Sequence, residues 1–313
     1  MLEAVLIAVL SVAASMALYL RLKCGYCSCS RRLDGLTAIV TGANTGIGKE
    51  TARHLAQLGA RVILACRDMK KAEQAREEIV KSTGNTNVLS QQLDLSSLQS
   101  VREFAQRVVN SESRLHILVN NAGLGGSSKI TGDGLELTMQ VNHFGPFLLT
   151  VLLLDLLKKS APARIIMVSS MLHTRGKLDL EDLGGTQRRL SYLQLYSNSK
   201  LCNVLTANEL HRRLSNSGVT ANSLHPGAVW TDVWRRLPTW QLRILRFLAS
   251  VYFKNSVQGA QTTIHLAVSE DLQTASGQYF EDCKVSNPAP AALNEELAKK
   301  VWDLSLKCVG LES

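Results

Sequence analysis

The feature that most constrains the fold is a regular alternation that begins at residue 36. Short runs rich in β-branched residues alternate with longer amphipathic runs. The strand candidates are residues 36–41, 60–67, 87–94, 115–120, 163–170 and 219–225, and the clearest helix candidates are 46–59, 69–84, 143–160 and a run that begins at Tyr196. Strands that alternate with helices of this length predict a parallel sheet covered on both faces. Such sheets bind ligands at the carboxyl ends of their strands.

The size of the chain favours one domain. Its 313 residues are 45% hydrophobic, and the sequence has no repeat, low-complexity tract or Pro/Ser-rich linker. Undivided α/β domains often reach this length. We expect an anchor at residues 1–22, a basic, cysteine-rich linker at 23–35 and one folded domain at 36–313.

The first residues predict a membrane anchor. After Glu3 come seventeen residues without a charge, followed at once by Arg21 and Lys23. Seventeen is the lower limit for a membrane-spanning helix. A cleaved signal peptide and a buried helix are the alternatives. Because the positive charges follow the apolar run, the positive-inside rule leaves the rest of the chain in the cytosol.

Charge and cysteine usage restrict the partners. The net charge of +9 suits an anionic membrane or a phosphorylated ligand. No zinc-finger spacing or basic-aromatic motif occurs, so nucleic acid is not a predicted partner. Cys24, Cys27 and Cys29 cluster, but the sequence shows no convincing fourth ligand near them, so no metal is predicted. These thiols are predicted to be either free or palmitoylated.

A glycine-rich stretch, "TGANTGIGKE", lies between the first strand and the first helix. Gly42, Gly46 and Gly48 allow a tight turn, close approach of the backbone to a pyrophosphate and close helix packing. The N-terminus of the following helix supplies free N–H groups and partial positive charge. This placement predicts a dinucleotide site.

Three motifs in order resemble the short-chain dehydrogenase/reductase family. They are T-G-x-x-x-G-x-G, "NNAG" at 120–123 and Tyr196-x-x-x-Lys200. The stretches "TGANTGIGKET", "LACRD", "VNHFGPFLLT" and "HPGAVWTD", behind an apolar leader, are similar to those of the microsomal retinol dehydrogenases and their relatives. The resemblance covers residues 36 to about 310. It implies a single Rossmann-type, doubly wound parallel sheet and an oxidoreductase that transfers hydride.

The end of the second strand indicates which cofactor is used. NAD binders place a carboxylate there for the ribose, whereas NADP binders place a cation for the 2′-phosphate. Arg67 occupies this position and predicts NADP(H), with Lys49 as a helper. The alternatives are that Arg67 pairs with Asp68 at the surface, or that Asp68 faces the ribose of NAD.

The resemblance carries further cofactor contacts onto this chain. The residues implied are Gly42, Asn44, Thr45, Gly46, Ile47, Gly48, Arg67, Asp94, Leu95, Asn121, Tyr196, Lys200, Pro226, Gly227 and Thr231. Asp94 and Leu95 would lie at the adenine, and Pro226, Gly227 and Thr231 near the carboxamide.

Tyr196 and Lys200 are four residues apart on a predicted helix and therefore share a face. A tyrosine has a pKa of about 10, and a neighbouring ammonium lowers it by favouring the phenolate. The resemblance makes Tyr196 the general acid/base and gives Lys200 a contact with the nicotinamide ribose. It assigns the substrate oxygen to Ser170 and a water relay to Asn142. His143 and His173 are predicted to be packing or loop residues.

Two departures from the family concern the substrate. Met167 stands where the family often has asparagine. Leu124, Gly125, Gly126 and Ser127 stand where the retinol enzymes tend to carry bulky apolar residues. Leu124 and Ser170 are the predicted substrate contacts. These small residues reduce one wall of the predicted substrate pocket. The sequence therefore predicts the reaction type but does not select a retinoid, and steroids and long-chain aliphatic carbonyls are alternatives.

Residues 230–254 hold six of the sixteen aromatic residues. They predict either an ordinary packed helix or a lipophilic lid at the membrane interface. A lipophilic alcohol and its aldehyde or ketone would then exchange with the bilayer, which the resemblance suggests is the endoplasmic reticulum. A membrane-anchored scaffold that binds nucleotide without turnover is the alternative from another functional class. A homodimer is a candidate assembly.

Overall fold

The computed structural model describes residues 24–125, 127, 129–187, 189–229 and 253–311. Its centre is an eight-stranded sheet with the order β3-β2-β1-β4-β5-β6-β7-β8. The strands are β1 Thr37–Thr41, β2 Arg61–Cys66, β3 Val88–Gln92, β4 Ile117–Asn120, β5 Ala163–Val168, β6 Val219–Leu224, β7 Tyr279–Glu281 and β8 Lys284–Ser286. All neighbours are parallel except β7 and β8. The strand order reverses beside β1, and the crevice of a doubly wound sheet opens at such a point.

Seven helices of at least twelve residues occur in the described part of the chain. They are α1 Gly46–Gln57, α2 Met69–Thr83, α3 Leu98–Ser111, α4 Gly145–Lys159, α5 Tyr192–Arg213, α6 Ser256–Val268 and α7 Glu295–Cys308. Shorter turns are an α-helical turn at Leu137–Met139, a π-helical turn at Gln140–Phe144, and 3₁₀ turns at Met171–Arg175, Glu270–Leu272 and Pro290–Leu293.

The core lies in two layers because alternate residues of each strand point to opposite faces of the sheet. Ile39 and Ile63 belong to the layer under α3, α4, α5 and α7. Their neighbours Val40 and Leu64 belong to the layer under α1, α2 and α6. The first strand is buried along its whole length. A strand covered on both faces has no polar side, which explains the continuous apolar runs in the sequence.

The predicted sheet with helices on both faces is confirmed, and all six predicted strands are present. Two features differ from the prediction. The short strands β7 and β8 extend the sheet, and the helix expected to begin at Tyr196 begins one turn earlier, at Tyr192. Its cap is Ser191, whose side chain accepts a hydrogen bond from the Gln194 N–H.

The expected linker at 23–35 packs against the domain from the first described residue. Cys24 is 8% exposed and Leu33 is 1% exposed, so the folded body begins well before residue 36. The predicted anchor at 1–22, the contact at Thr231 and nearly all of the predicted lid at 230–254 lie outside the described residues.

Within the described residues, one helical stretch, Leu137–Lys159, is long and apolar enough to cross a membrane. The most apolar window of this stretch is 72% buried inside the protein. Burial of this kind is that of a core helix, and α4 indeed packs its leucines into the layer that contains Phe104 and Phe147.

Candidate active site

The glycine loop forms an open turn at the carboxyl end of β1. Gly42 and Gly46 have φ angles of +66° and +58°, which other residues rarely adopt. A Cβ on Gly48 would lie 2.5 Å from the Gly42 carbonyl oxygen, whereas a Cβ on Gly46 would meet no atom within 4 Å. Thr45 caps α1 without a side-chain hydrogen bond. The first-turn N–H groups therefore have no side-chain cap and border an open space, which fits a pyrophosphate.

Thr41 and Asn121 fix this loop to the neighbouring strand. The Thr41 hydroxyl accepts hydrogen bonds from the N–H groups of Asn121 and Ala122, both at 2.9 Å. The Asn121 side chain donates to the Thr41 carbonyl oxygen at 2.8 Å. The ends of β1 and β4 are thereby tied together. Asn121 lies beside the glycine loop, but its amide is committed to this contact, and Thr41 was not singled out from the sequence.

The remaining predicted cradle residues take different positions. Asn44 is half-buried in the loop. Ile47 is 8% exposed and packs toward Gly259 of α6. Asp94 accepts hydrogen bonds from the backbone N–H and hydroxyl of Ser96 at 2.9 and 2.6 Å. Leu95 is 5% exposed. Asp94 and Leu95 therefore shape the loop after β3.

The end of β2 presents an exposed arginine. Arg67 is exposed and forms no ion pair within the described residues. Asp68 caps α2 by accepting the Lys71 N–H at 3.1 Å, and it pairs with the Lys71 ammonium at 3.4 Å. Lys49 pairs with Glu78 at 2.6 Å. Asp68 and Lys49 are thus engaged with other side chains, whereas the Arg67 side chain is exposed.

Pro226 and Gly227 follow β6 at the same edge of the sheet. Gly227 has a φ of +85°, and its N–H donates to Nδ1 of His225 at 2.9 Å. A Cβ on Gly227 would lie 2.8 Å from the Lys254 side chain. The turn is therefore closely packed before the chain enters the residues outside the description.

Tyr196 and Lys200 lie on one face of α5 and approach each other closely. The Lys200 Nζ atom is 5.7 Å from the centre of the Tyr196 ring. It donates to the Val168 carbonyl oxygen at 3.1 Å. Lys200 is 3% exposed, and burial lowers its pKa to about 8. The protein therefore holds an ammonium that gives up its proton far more readily than a surface lysine does.

The pKa of Tyr196 differs from the expectation. Burial raises the pKa of the phenol, and a hydrogen bond with the Ser170 side chain lowers it by less. The predicted lowering of this pKa by the Lys200 ammonium is not found, and burial is the larger of the two effects. The phenol is therefore protonated near neutral pH, the state that a proton donor requires.

The two serines at the end of β5 have different environments. Ser169 is buried, and its hydroxyl donates to the Lys200 carbonyl oxygen at 2.7 Å. Ser170 is half-buried, caps the 3₁₀ turn after β5 and meets Tyr196. His173 is buried behind it, with Nδ1 2.8 Å from the Ser170 carbonyl oxygen and Nε2 accepting the Ala289 N–H at 2.9 Å. His173 thus braces the turn that carries Ser170.

Asn142 sits in the π-helical turn that precedes α4. Its Oδ1 accepts the Leu124 N–H at 2.8 Å, and its Nδ2 donates to the Leu124 carbonyl oxygen at 3.0 Å. Nδ2 also donates to the Ser199 hydroxyl at 3.0 Å. A Cβ on Gly123 would lie 3.3 Å from Lys200 Nζ and 3.4 Å from Asn142 Oδ1. Asn142 and Lys200 therefore flank the exposed Gly123 together.

Met167 makes the altered strand contact that its position suggested. The Asn120 amide donates to the Met167 sulfur at 3.2 Å and to the Thr150 hydroxyl at 2.9 Å. Among the described residues, the buried Asn120 Oδ1 atom has no hydrogen-bond partner. A thioether cannot donate a hydrogen bond, so this departure leaves one polar atom unsatisfied beneath the site.

The geometry defines a dinucleotide-binding site with a phenol, an ammonium and a hydroxyl gathered at its reacting end. Ser170, Tyr196, Lys200 and Asn142 are brought together at the carboxyl ends of β4 and β5, beside the glycine loop. An oxidoreductase in which the cofactor moves hydride needs the protein to move a proton and to steady an oxygen, and these side chains can do both.

The chain belongs to the short chain dehydrogenase family, whose profile matches residues 36–242. It is 47% identical to mouse retinol dehydrogenase 12, over 92% of this chain and 90% of that protein. It is 47% identical to human retinol dehydrogenase 11, over 93% of this chain and 91% of that protein. The predicted resemblance to the retinol dehydrogenases is confirmed, and the family makes the protein an oxidoreductase.

Solved structures agree with this fold. A Mycobacterium paratuberculosis protein of uncharacterised function matches with a TM-score of 0.73 and 32% identity, over 90% of this chain and 96% of that chain. RhlG of Pseudomonas aeruginosa, in an active-site complex with NADP, matches with a TM-score of 0.64 and 26% identity, over 80% of this chain and 95% of that chain.

Proposed function

We propose that this protein is an NADP(H)-dependent oxidoreductase that interconverts a lipophilic alcohol and its aldehyde or ketone, with retinol and retinal as the first candidates. The observation that carries the proposal is the contact of Tyr196 with Ser170 and Lys200 at the mouth of the glycine loop. The similarity to retinol dehydrogenases 11 and 12 supports the substrate class.

The glycine loop would hold a nicotinamide cofactor, which would supply the hydride for reduction of the carbonyl carbon. The Ser170 hydroxyl holds the carbonyl oxygen, and Tyr196 gives that oxygen its phenolic proton. The raised pKa of Tyr196 keeps this proton in place until the substrate needs it. Lys200, whose pKa is about 8, is placed to return a proton to the phenolate, and Asn142 would position a water that relays it. Oxidation of the alcohol reverses each of these steps.

Arg67 gives the preference for NADP(H) in this proposal. It is the exposed cation at the end of β2, and the carboxylate of its neighbour Asp68 is engaged as a helix cap. A guanidinium binds a phosphate through short, charge-assisted hydrogen bonds.

Arg67→Glu tests the cofactor. We expect NADPH affinity to fall by at least tenfold, about 1.5–3 kcal/mol, because reversal adds repulsion, while NADH affinity changes little. Lys81→Glu, at the far end of α2, changes the net charge equally and is the control. Equal losses for both cofactors would remove Arg67 from the 2′-phosphate site.

The proposal places the protein in the endoplasmic reticulum membrane, with the domain toward the cytosol. The support is the uncharged run after Glu3 and the basic residues that follow it. Deletion of residues 1–23 should release a folded domain from the membrane fraction. Isolation of the wild-type protein without its first twenty residues would instead identify a cleaved signal.

A substrate screen tests the activity itself. Membranes that contain the full chain are incubated with NADPH and all-trans-retinal, a ketosteroid or a long-chain aldehyde, and NADPH consumption is followed. Membranes that contain Tyr196→Phe are the control. Consumption that depends on Tyr196 with retinal supports the retinoid, and consumption with another carbonyl reassigns the substrate. No such consumption with any of the three would favour a nucleotide-binding scaffold.

A further inference from the structure

A cluster of soft ligands lies on the α6 side of the sheet. The sulfur atoms of Cys27 and Cys29 and a ring nitrogen of His265 lie within 4.8 Å of one another. In a tetrahedral zinc site, with bonds of about 2.0 to 2.3 Å, ligand atoms are about 3.6–3.8 Å apart. A small movement of these three half-buried side chains brings their ligand atoms to the separations of a zinc site. No spacing pattern in the sequence indicates this cluster, because His265 follows Cys29 by 236 positions.

The leading segment is held over His265 by specific contacts. The Cys27 N–H donates to Oε1 of Gln261 at 3.0 Å, and Gln261 lies one turn before His265 on α6. The Cys27 sulfur accepts a hydrogen bond from the backbone N–H of Cys29. N–H groups directed at a cysteine sulfur stabilise its thiolate, the form that binds a metal.

The β7–β8 turn brings a third cysteine, Cys283, near this cluster. Cys283 lies close enough to Cys27 to contribute to its raised pKa. The N–H of Cys283 donates to the Thr262 hydroxyl of α6 at 3.3 Å. A Cβ on Gly25 would lie 1.9 Å from the Asp282 carbonyl oxygen. Only glycine allows the leading segment to pass this close to the turn.

The backbone at this turn is strained in a way that points to a role for the side chain. Asp282 and Cys283 have φ angles of +48° and +61°. A two-residue hairpin turn of this kind strongly prefers asparagine and glycine. A cysteine held in the left-handed region costs about 1 kcal/mol. Residues retained in such conformations are concentrated at binding sites.

The groups around His265 favour metal binding by its ring over a role in proton transfer. Burial lowers the pKa of His265, so the imidazole is neutral, and its ring makes no hydrogen bond within the described residues. Arg164, on β5, contributes positive charge near Cys29. A neutral imidazole with two or three thiols is a donor set that zinc prefers.

We propose that Cys27, Cys29 and His265, completed by Cys283, form a structural Zn²⁺ site that clamps the leading segment onto α6 and the β7–β8 turn. Binding releases the thiol protons to solvent, while His265 binds as the neutral base. The clamp joins the end of the predicted anchor to the edge of the domain next to Gly227. It does not depend on the reaction proposed above.

Metal content tests this site. The full chain is purified in detergent with a reductant, loaded with Zn²⁺ and washed with a weak chelator, and its zinc is measured against protein. We expect one Zn²⁺ per chain. With Co²⁺ instead, we expect a thiolate-to-cobalt charge-transfer band and the strong visible bands of tetrahedral cobalt. Zinc at this ratio without the thiolate band would overturn the proposal, as would no retained zinc.

Variants locate the site. Cys27→Ser and His265→Asn should each weaken Zn²⁺ binding by about 100-fold or more, and Cys283→Ser by about tenfold. Cys308→Ser is the control, because Cys308 is half-buried against the other core layer. Equal zinc in Cys27→Ser and Cys308→Ser would contradict the assignment. Retained NADPH binding shows that each variant is folded, and the cobalt spectrum of the wild type tests the site independently. A mass two daltons lower, showing a disulfide among these cysteines in reductant, would also overturn it.

Discussion

The glycine loop and the surroundings of Tyr196 meet in one crevice, but they are built by different means. Gly42, Gly46 and Gly48 shape the loop through backbone conformation and the absence of side chains. Around Tyr196 the site is shaped by side chains, among them a buried lysine and a buried asparagine in a π-helical turn. A loop that binds phosphate with N–H groups needs no buried charge, whereas proton transfer requires ionisable groups taken out of water.

This difference predicts opposite consequences of mutation. A change in the loop should damage folding and cofactor binding together, because both depend on the same backbone conformation. A change around Tyr196 should damage turnover and leave stability unchanged or improved, because desolvated polar groups there reduce stability. Active sites commonly sacrifice stability in this way.

Tyr196→Phe should show the largest effect. The ring and its packing remain, but the proton that the mechanism moves is lost, so turnover should fall by about 10²–10⁴. NADPH affinity and the melting temperature should stay near wild type. Steady-state kinetics, NADPH titration and thermal unfolding measure the three quantities. Turnover within a few-fold of wild type with any accepted substrate would remove Tyr196 as the acid/base.

Lys200→Met should inactivate the enzyme while stabilising the fold. The pKa of Lys200 is about 8 when folded and about 10.4 when unfolded. Between these values the unfolded chain binds more protons, so wild-type stability rises as the pH rises from about 8 to about 10.4. Below pH 8 the full penalty is present, and its removal should add about 2–3 kcal/mol to the free energy of unfolding.

The gain from Lys200→Met should shrink through this pH window and vanish above it. The Val168 carbonyl oxygen keeps the hydrogen bond that Asn203 donates at 3.2 Å, so no acceptor is left unpaired. Denaturant unfolding at pH 7 and pH 10.5 measures the difference. A destabilised variant at pH 7 would mean that the ammonium is stabilised by contacts that offset its burial.

Gly48→Ala tests the loop half. The new Cβ would lie 2.5 Å from the Gly42 carbonyl oxygen and 2.4 Å from the Asn121 amide nitrogen, so the backbone must move. We expect a loss of about 1–3 kcal/mol in stability together with at least tenfold weaker NADPH binding. Gly132→Ala is the control, because its Cβ would meet nothing within 4 Å. A stable Gly48→Ala protein with normal NADPH affinity would break the comparison.

The same contrast explains what the sequence could predict. Glycines at 42, 46 and 48 act through the backbone, and their spacing after a predicted strand can be recognised in the amino-acid sequence. Strands β2, β4 and β5 are visible because burial on both faces makes them mostly apolar, whereas β3 is polar and only partly buried. Strands β7 and β8 are three residues each, and β8 is largely exposed, so no periodicity marks them.

Side-chain environments were predicted less well. The sequence places Lys200 one turn from Tyr196, but it does not show that burial raises the pKa of the phenol. It also cannot show that Asn142 lies in a π-helical turn, or that His265 meets Cys27 and Cys29. These features depend on elements that are distant in the chain and packed together only in the fold.

Ser199→Ala should produce the smallest effect and tests how finely the catalytic half is positioned. The Ser199 hydroxyl accepts the Asn142 amide at 3.0 Å and donates to the Tyr196 carbonyl oxygen at 2.8 Å. Without it, Asn142 keeps its two hydrogen bonds to Leu124, so the amide is loosened and not released. The lost hydrogen bond is worth about 1 kcal/mol, or roughly a fivefold fall in turnover.

The control for Ser199→Ala is Ser197→Ala on the same helix. The buried Ser197 hydroxyl has no hydrogen-bond partner in the part of the chain that the structure describes, so its removal should leave turnover unchanged and stability equal or slightly higher. The KM for NADPH should not change in either variant, because neither hydroxyl touches the glycine loop. A fall in turnover with Ser199→Ala alone would show that Asn142 is positioned through α5. Equal rates in both variants would show that the Leu124 contacts suffice to hold Asn142 in place.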